Sequence, residues 1–264
     1  MSVALERLHS KNTPMKPRKT TYIVHRWIGL IISLQLLAWS AGGFIFSVLD
    51  INAVRGATDA RMLGARAIDR DALPTLVRDA IKDIEGTIGG SNLIDRGLGA
   101  FWEVRDTEGE LLARVGVDGL IVEQISPDDA IDLALEDFVP KAGVRGVELI
   151  EENPPSEYRG GPMPVYRVDL EHPKSPHIYV DAQTGRINAR RNNTWRTFDF
   201  FWMLHTMDYK GRDNFNHPLL IIASLFAIAA SGTGLALWGW RSIPKMLRRR
   251  GKKKGRAIIG TPPE

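Results

Sequence analysis

The chain has 264 residues, a net charge of +4 and no cysteine, which leaves room for one or two modest domains. Without cysteine there is no disulfide, no Cys-ligated zinc, no Cys-held iron–sulfur cluster and no thiol nucleophile. The small net charge hides an asymmetry: the two tails are strongly basic and everything between them is net acidic.

Residues 1–26 hold six Lys/Arg (Arg7, Lys11, Lys16, Arg18, Lys19, Arg26) against one acid, Glu6. An uncharged run follows, from Trp27 to Leu49. At ~1.5 Å per residue it reaches ~34 Å, enough for a ~30 Å hydrocarbon core. The reading is a transmembrane helix over 27–49. Its apolar stretch is too long for a typical signal peptide and no clear A-x-A site follows, so an uncleaved signal anchor is expected.

Residues 50–193 read as a tandem repeat of α+β units, 50–125 and 126–193. In the first, Leu73, Leu76, Val77, Ala80, Ile81 and Ile84 have helical spacing. Phe101 to Gln124 alternates around a Glu-Gly turn like a hairpin, and a second turn at Asp118-Gly119 predicts one more strand. In the second, Ser126 is a good N-cap, Pro127 suits the first turn, and Asp128 and Asp129 suit the positive helix end. VRGVELIEE, PVYRVDLEHP and HIYVDAQTGRINARR then read as strands and turns. The copies align with Trp102 on Tyr166 and Asp118 on Asp181.

Residues 194–216 predict an amphipathic interfacial helix and linker. Trp195, Phe198, Trp202, His205 and Tyr209 fall on one helical face, placed at headgroup depth. A second uncharged run, from Pro218 to Trp240 and as long as the first, gives a second span, 217–240. Trp27, Trp238 and Trp240 are the aromatics of an interface belt. The tail, 241–264, holds nine Lys/Arg and one acid. Basic residues beside both spans place both termini in the cytoplasm and residues 50–216 outside. The run KMLRRRGKKKGR is a topology signal that also touches anionic lipid; nucleic acid is not expected as a partner.

The helix, the strand pair and YVDAQTGRI resemble the PepSY module, above all at Tyr179, Val180, Asp181, Thr184, Gly185 and Ile187. HRWIGL with Gly42 and Gly43, and LHTMDYKGRDNFNHPLLIIAS followed by SGTGLALWGW, resemble the helices of PepSY-associated transmembrane proteins. The resemblance covers most of residues 22–240. It implies a bacterial inner-membrane protein with its α+β modules in the periplasm. Better-known relatives have about four spans, and some are haem-bearing membrane reductases of siderophore-iron uptake. This chain has two predicted spans, so a four-helix core needs a homodimer or another membrane subunit.

Six histidines are present. His9 lies in the polar tail, and His172 and His177 flank the turn HPKSPH, for which a solvated turn is expected. His25, His205 and His217 lie at span boundaries, where ligands of a b-type haem would lie. His25 and His217 start opposite ends of antiparallel spans, ~34 Å apart, so they cannot share an iron. The remaining pairs are His205 with His217, or His25 with its copy across a two-fold axis. Interfacial packing is the plainer reading of all three. Gly42–Gly43 and Ser231–Gly234 allow close helix approach but lie at different depths, so each faces a different neighbour. There is no G-x-S-x-G, H-E-x-x-H, P-loop or dinucleotide fingerprint.

Two functions follow as expectations. One is a non-catalytic, membrane-anchored module that binds a periplasmic protein or peptide or serves a membrane complex, since PepSY domains are associated with restraining secreted peptidases. The other is a haem b electron-transfer subunit ligated by the boundary histidines.

Overall fold

The structure, a computed structural model, describes residues 17–68, 81–82 and 84–258. Most of the helix expected from Leu73 to Ile84, and His9, lie outside the described residues. The chain divides into two compact units, one of residues 1–43 with 203–264 and one of residues 44–202.

In the first unit the long helices are α1 (Pro17–Val48) and the C-terminal α5 (Pro218–Ile258). Lys19–Val48 and Pro218–Pro244 are each long and apolar enough to cross a membrane. Both helices outrun the apolar stretches. Pro17 is well suited to a first helical turn, and Lys and Arg are good helix formers, so charge ends an apolar run without ending a helix. The helices meet through small residues. Ala223 and Ala230 on α5 are buried with Ile32 of α1, and Ile28, Trp39 and Ala227 pack around them.

The second unit holds two antiparallel sheets. The first has the order β1 (Ile88–Asp95), β2 (Ala100–Asp106), β3 (Leu111–Gly116). β1 escapes sequence reading because its Gly-Gly-Ser centre breaks any apolar alternation. The expected strand after Asp118-Gly119 is reduced to one bridge, Val115 to Ile121. The second sheet has the order β4 (Gly143–Ile150), β5 (Val165–Glu171), β6 (His177–Asp181), β7 (Ile187–Arg191).

After a short helix α2 (Ile51–Val54), helix α3 (Pro127–Asp137) covers one face of the second sheet. Ser126 caps it as a capping box: its hydroxyl accepts from the Asp129 N–H and the Asp129 carboxylate accepts from the Ser126 N–H. Leu133, Ala134 and Phe138 pack on Tyr166, Val168, Leu170, Ile178 and Val180. These strand residues alternate, so the intervening Val165 and Tyr179 face the other way and bury against Tyr158. The two sheets pair alike, with Leu93–Trp102–Val115 in one and Leu149–Tyr166–Val180 in the other. With Trp102 on Tyr166, Val115 therefore falls on Val180. The aspartate alignment shifts by two: β3 stops two residues before Asp118, whereas β6 ends at Asp181. A shift of two keeps every side chain on its face.

Helix α4 (Asn193–Thr206) carries the predicted aromatic face, and within the second unit that face has partners in the chain. Phe198 and Trp202 lie 4.8 and 6.0 Å from Phe46, and the Arg191 guanidinium sits 4.5 Å over Trp195.

Candidate functional site

The boundary histidines occupy three different environments. His25 lies between α1 and α5, where Nδ1 is 3.0 Å from both the Ala230 carbonyl and the Thr233 hydroxyl. The Thr233 hydroxyl donates to the Ala229 carbonyl at 2.7 Å, so its oxygen is left to accept from the imidazole. Gly234 makes the room, since a Cβ there would stand 3.2 Å from the His25 Cε1. The small residues of α5 thus face His25 of α1.

His205 and His217 belong to one end of α4. The last four carbonyls of any helix lack partners within it, and here each has one. Met203 O receives the Met207 N–H at 2.9 Å. Leu204 O receives Gln35 Nε2 and His205 O receives Trp39 Nε1, each at 2.9 Å. Thr206 O lies 2.9 Å from His217 Nε2. His217 also caps α5, with Nδ1 accepting the Leu220 N–H at 3.4 Å. Both ring nitrogens of His217 are therefore engaged in joining two helix ends, and metal ligation requires one of those bonds to break. The His205 ring packs 6.2 Å from Trp39. Along α1, His25 and Trp39 stand ~21 Å apart, so His25 and His205 do not share a centre within one chain.

The loop after α4 is organised by Asp208, whose carboxylate accepts N–H groups of Gly211, Asp213 and Asn214 at 3.0–3.2 Å. The bond from Asn214, with those from Gly211, Lys210 and Asp213, outweighs the opposing effect of desolvation and holds its pKa below the usual range.

His177 sits in a cluster that sequence reading missed. Glu157 accepts His177 Nδ1 and the Tyr179 hydroxyl on one oxygen, the latter at 2.7 Å, and Arg196 Nε at 3.1 Å on the other. Arg191 Nε donates to the Glu157 carbonyl at 2.6 Å. Burial pushes the Glu157 carboxyl up, but the hydrogen bonds from His177 and Tyr179, with the charges of His177 and Arg196, outweigh it and hold it down to about 2. Burial and the Glu157 carboxylate push the Tyr179 phenol up. A proton-transfer group works best with a pKa near the operating pH, and these two lie on either side of it. The cluster is a lock that ties the loop before β5 and the start of α4 to the sheet. His172 serves its turn, accepting the Lys174 N–H on Nδ1 at 3.2 Å. Among the described residues no group of three or more His, Asp or Glu side chains is arranged to hold a metal ion.

Residues 124–189 match the family described as "Peptidase propeptide and YPEB domain", PepSY. The match spans α3 and β4–β6 and ends within β7. No curated protein and no solved structure gives a significant match. The match falls on the segment whose Tyr179, Asp181 and Gly185 carry the motif: the Asp181 carboxylate accepts the Gln183 and Thr184 N–H groups at 3.0 and 2.7 Å, and Gly185 supplies the positive φ of 68° that closes the turn. Residues 124–189 are a PepSY domain, and the chain is a PepSY-containing protein.

Proposed function

We propose that this is a membrane-anchored PepSY protein of the bacterial inner membrane that acts as a non-catalytic binding or accessory module of a membrane complex. The observation that carries the reading is the placement of a PepSY domain between two helices that are each long enough to span a bilayer. The basic tails orient the domain toward the periplasm. Its partner is a periplasmic protein or peptide, or a second membrane subunit, with a homodimer as the simplest case. In cells, the chain stays in the membrane pellet after an alkaline carbonate wash, and amine crosslinking gives one defined adduct with a membrane or periplasmic protein or a second copy. Release by carbonate, or recovery only as an uncrosslinked monomer, counts against it.

A second reading, a haem b electron-transfer subunit, is favoured by His25. Its Nδ1 is held by the Ala230 carbonyl, which leaves Nε2 as the ligating nitrogen, the usual arrangement of a metal-bound imidazole. A symmetric dimer would supply the second His25. His205 and His217 remain the other candidate pair. Protein purified in mild detergent after growth with haem precursor distinguishes the readings. A Soret band lost in His25→Ala supports the dimer site, a band lost in His205→Ala or His217→Ala supports the other, and a colourless protein removes the haem reading.

A further inference from the structure

We propose that the second unit holds a binding site for a small organic carboxylate with an apolar body. A cavity of about 350 Å³ opens between the two sheets, in the size range of small-molecule sites. Arg96, Arg186 and Arg190 line it with Leu63, Ile94 and Leu133, and no carboxylate lines it among the described residues.

Two of the arginines are preset. Arg190 forms a bidentate pair with the fully buried Asp137, at 2.5 and 2.7 Å. Arg96 pairs with the buried Glu103 and donates to the Thr184 carbonyl at 3.3 Å. Glu103 is itself shared, because Arg105 reaches its other oxygen at 3.0 Å. Nearby Arg114 donates to the Gln183 carbonyl at 2.6 Å and lies 3.7 Å over the Phe101 ring. Arg186, on the turn before β7, has an exposed side chain and, among the described residues, no ion pair. Among the described residues every charged side chain that lines the cavity is thus an arginine, and Arg186 is the guanidinium left for an incoming anion. Its planar fork suits a carboxylate.

The cavity lies beneath a strap, residues 61–66. The strap is tied at one end to α3, with the Arg61 N–H on the Asp137 carbonyl at 2.8 Å, and at the other to β1, with the Arg66 N–H on the Asp95 carbonyl at 2.7 Å. Between these ties run Met62 to Ala65 along the cavity. Met62 is held at φ 58°, an uncommon conformation for a non-glycine residue that persists where the surroundings fix it. Strap and aliphatic side chains supply the apolar wall, and the arginines supply the charged one.

The test uses the full chain in an uncharged detergent, with phenylacetate as probe, inorganic phosphate as comparison, and binding to empty micelles subtracted. The site predicts saturable phenylacetate binding that weakens as salt is raised. Affinity falls at least tenfold in Arg186→Ala and further in Arg186→Glu. Both variants keep the melting temperature, because the side chain is exposed. Absence of saturable binding overturns the proposal, as does equal binding by the Arg186 variants. Phosphate binding as tightly as phenylacetate also overturns it, because the apolar wall would then contribute nothing.

Discussion

The Tyr179 hydroxyl donates to Glu157 at 2.7 Å while its ring stacks on Tyr158, centroids 4.6 Å apart and planes 15° from parallel. One tyrosine thus holds both the charge and the apolar part of the loop before β5. Glu157 has a lower pKa folded, about 2, than its ordinary 4.5. A depressed carboxylate contributes stability that is fully present above pH 4.5 and is lost as pH falls toward 2. The contribution is on the order of 2 kcal/mol, set below the full conversion because the side chain stays partly wet. Glu157→Gln should lower the melting temperature at pH 7 and flatten its dependence on pH between 5 and 2.5. Parallel acid profiles of variant and parent would contradict this.

Trp39 and Gln35 act as donors to a helix end, and their removal should leave carbonyls unpaired. Trp39→Phe keeps most of the ring but abandons the His205 carbonyl. The expected cost is about 1–3 kcal/mol. Unfolding in mixed micelles of increasing SDS fraction measures it. An unchanged midpoint would mean that the carbonyl finds another partner.

Asp137 is fully buried and paired with Arg190. Removing one partner of such a pair strands the other, at about 3–5 kcal/mol. Asp137→Ala should lose about that much in thermal unfolding, and Asp137→Ala with Arg190→Met should recover a good part of it. A double variant as unstable as the single one would show that the pair itself, and not the stranded charge, sets the cost.

Trp102 and Tyr166 hold matching strand positions but differ in their polar atoms. Tyr166 donates its hydroxyl to the Ile125 carbonyl at 3.1 Å, whereas the buried Trp102 Nε1 has no partner among the described residues. Tyr166→Phe should cost about 1 kcal/mol or more, and Trp102→Phe should forfeit no hydrogen bond and stay within about 1 kcal/mol of the parent. Chemical unfolding followed by circular dichroism compares them. The reverse order would contradict the assignment.

What the sequence reveals follows the range of each interaction. The capping box at Ser126 and the Asp181–Gly185 turn are legible because their partners lie two to four residues away. The apolar helices are legible because length and charge alone define them. The Glu157 cluster is not, since its partners lie 20, 22 and 39 residues along the chain and no periodicity joins them. The boundary histidines stand out by position, but their positions do not show that His217 caps one helix while closing another. The cavity is equally hidden, because its arginines come from segments that only the fold brings together.

In the proposed arrangement two spanning helices hold the PepSY domain outside the membrane. The absence of cysteine makes single-cysteine labelling direct. Glu108→Cys, in the exposed turn between β2 and β3, and Lys253→Cys, in the basic tail, are each expressed in cells and treated with a membrane-impermeant maleimide. The account predicts that Glu108→Cys labels in intact cells and that Lys253→Cys labels only after the membrane is opened. The reverse pattern, or labelling of both in intact cells, would contradict it.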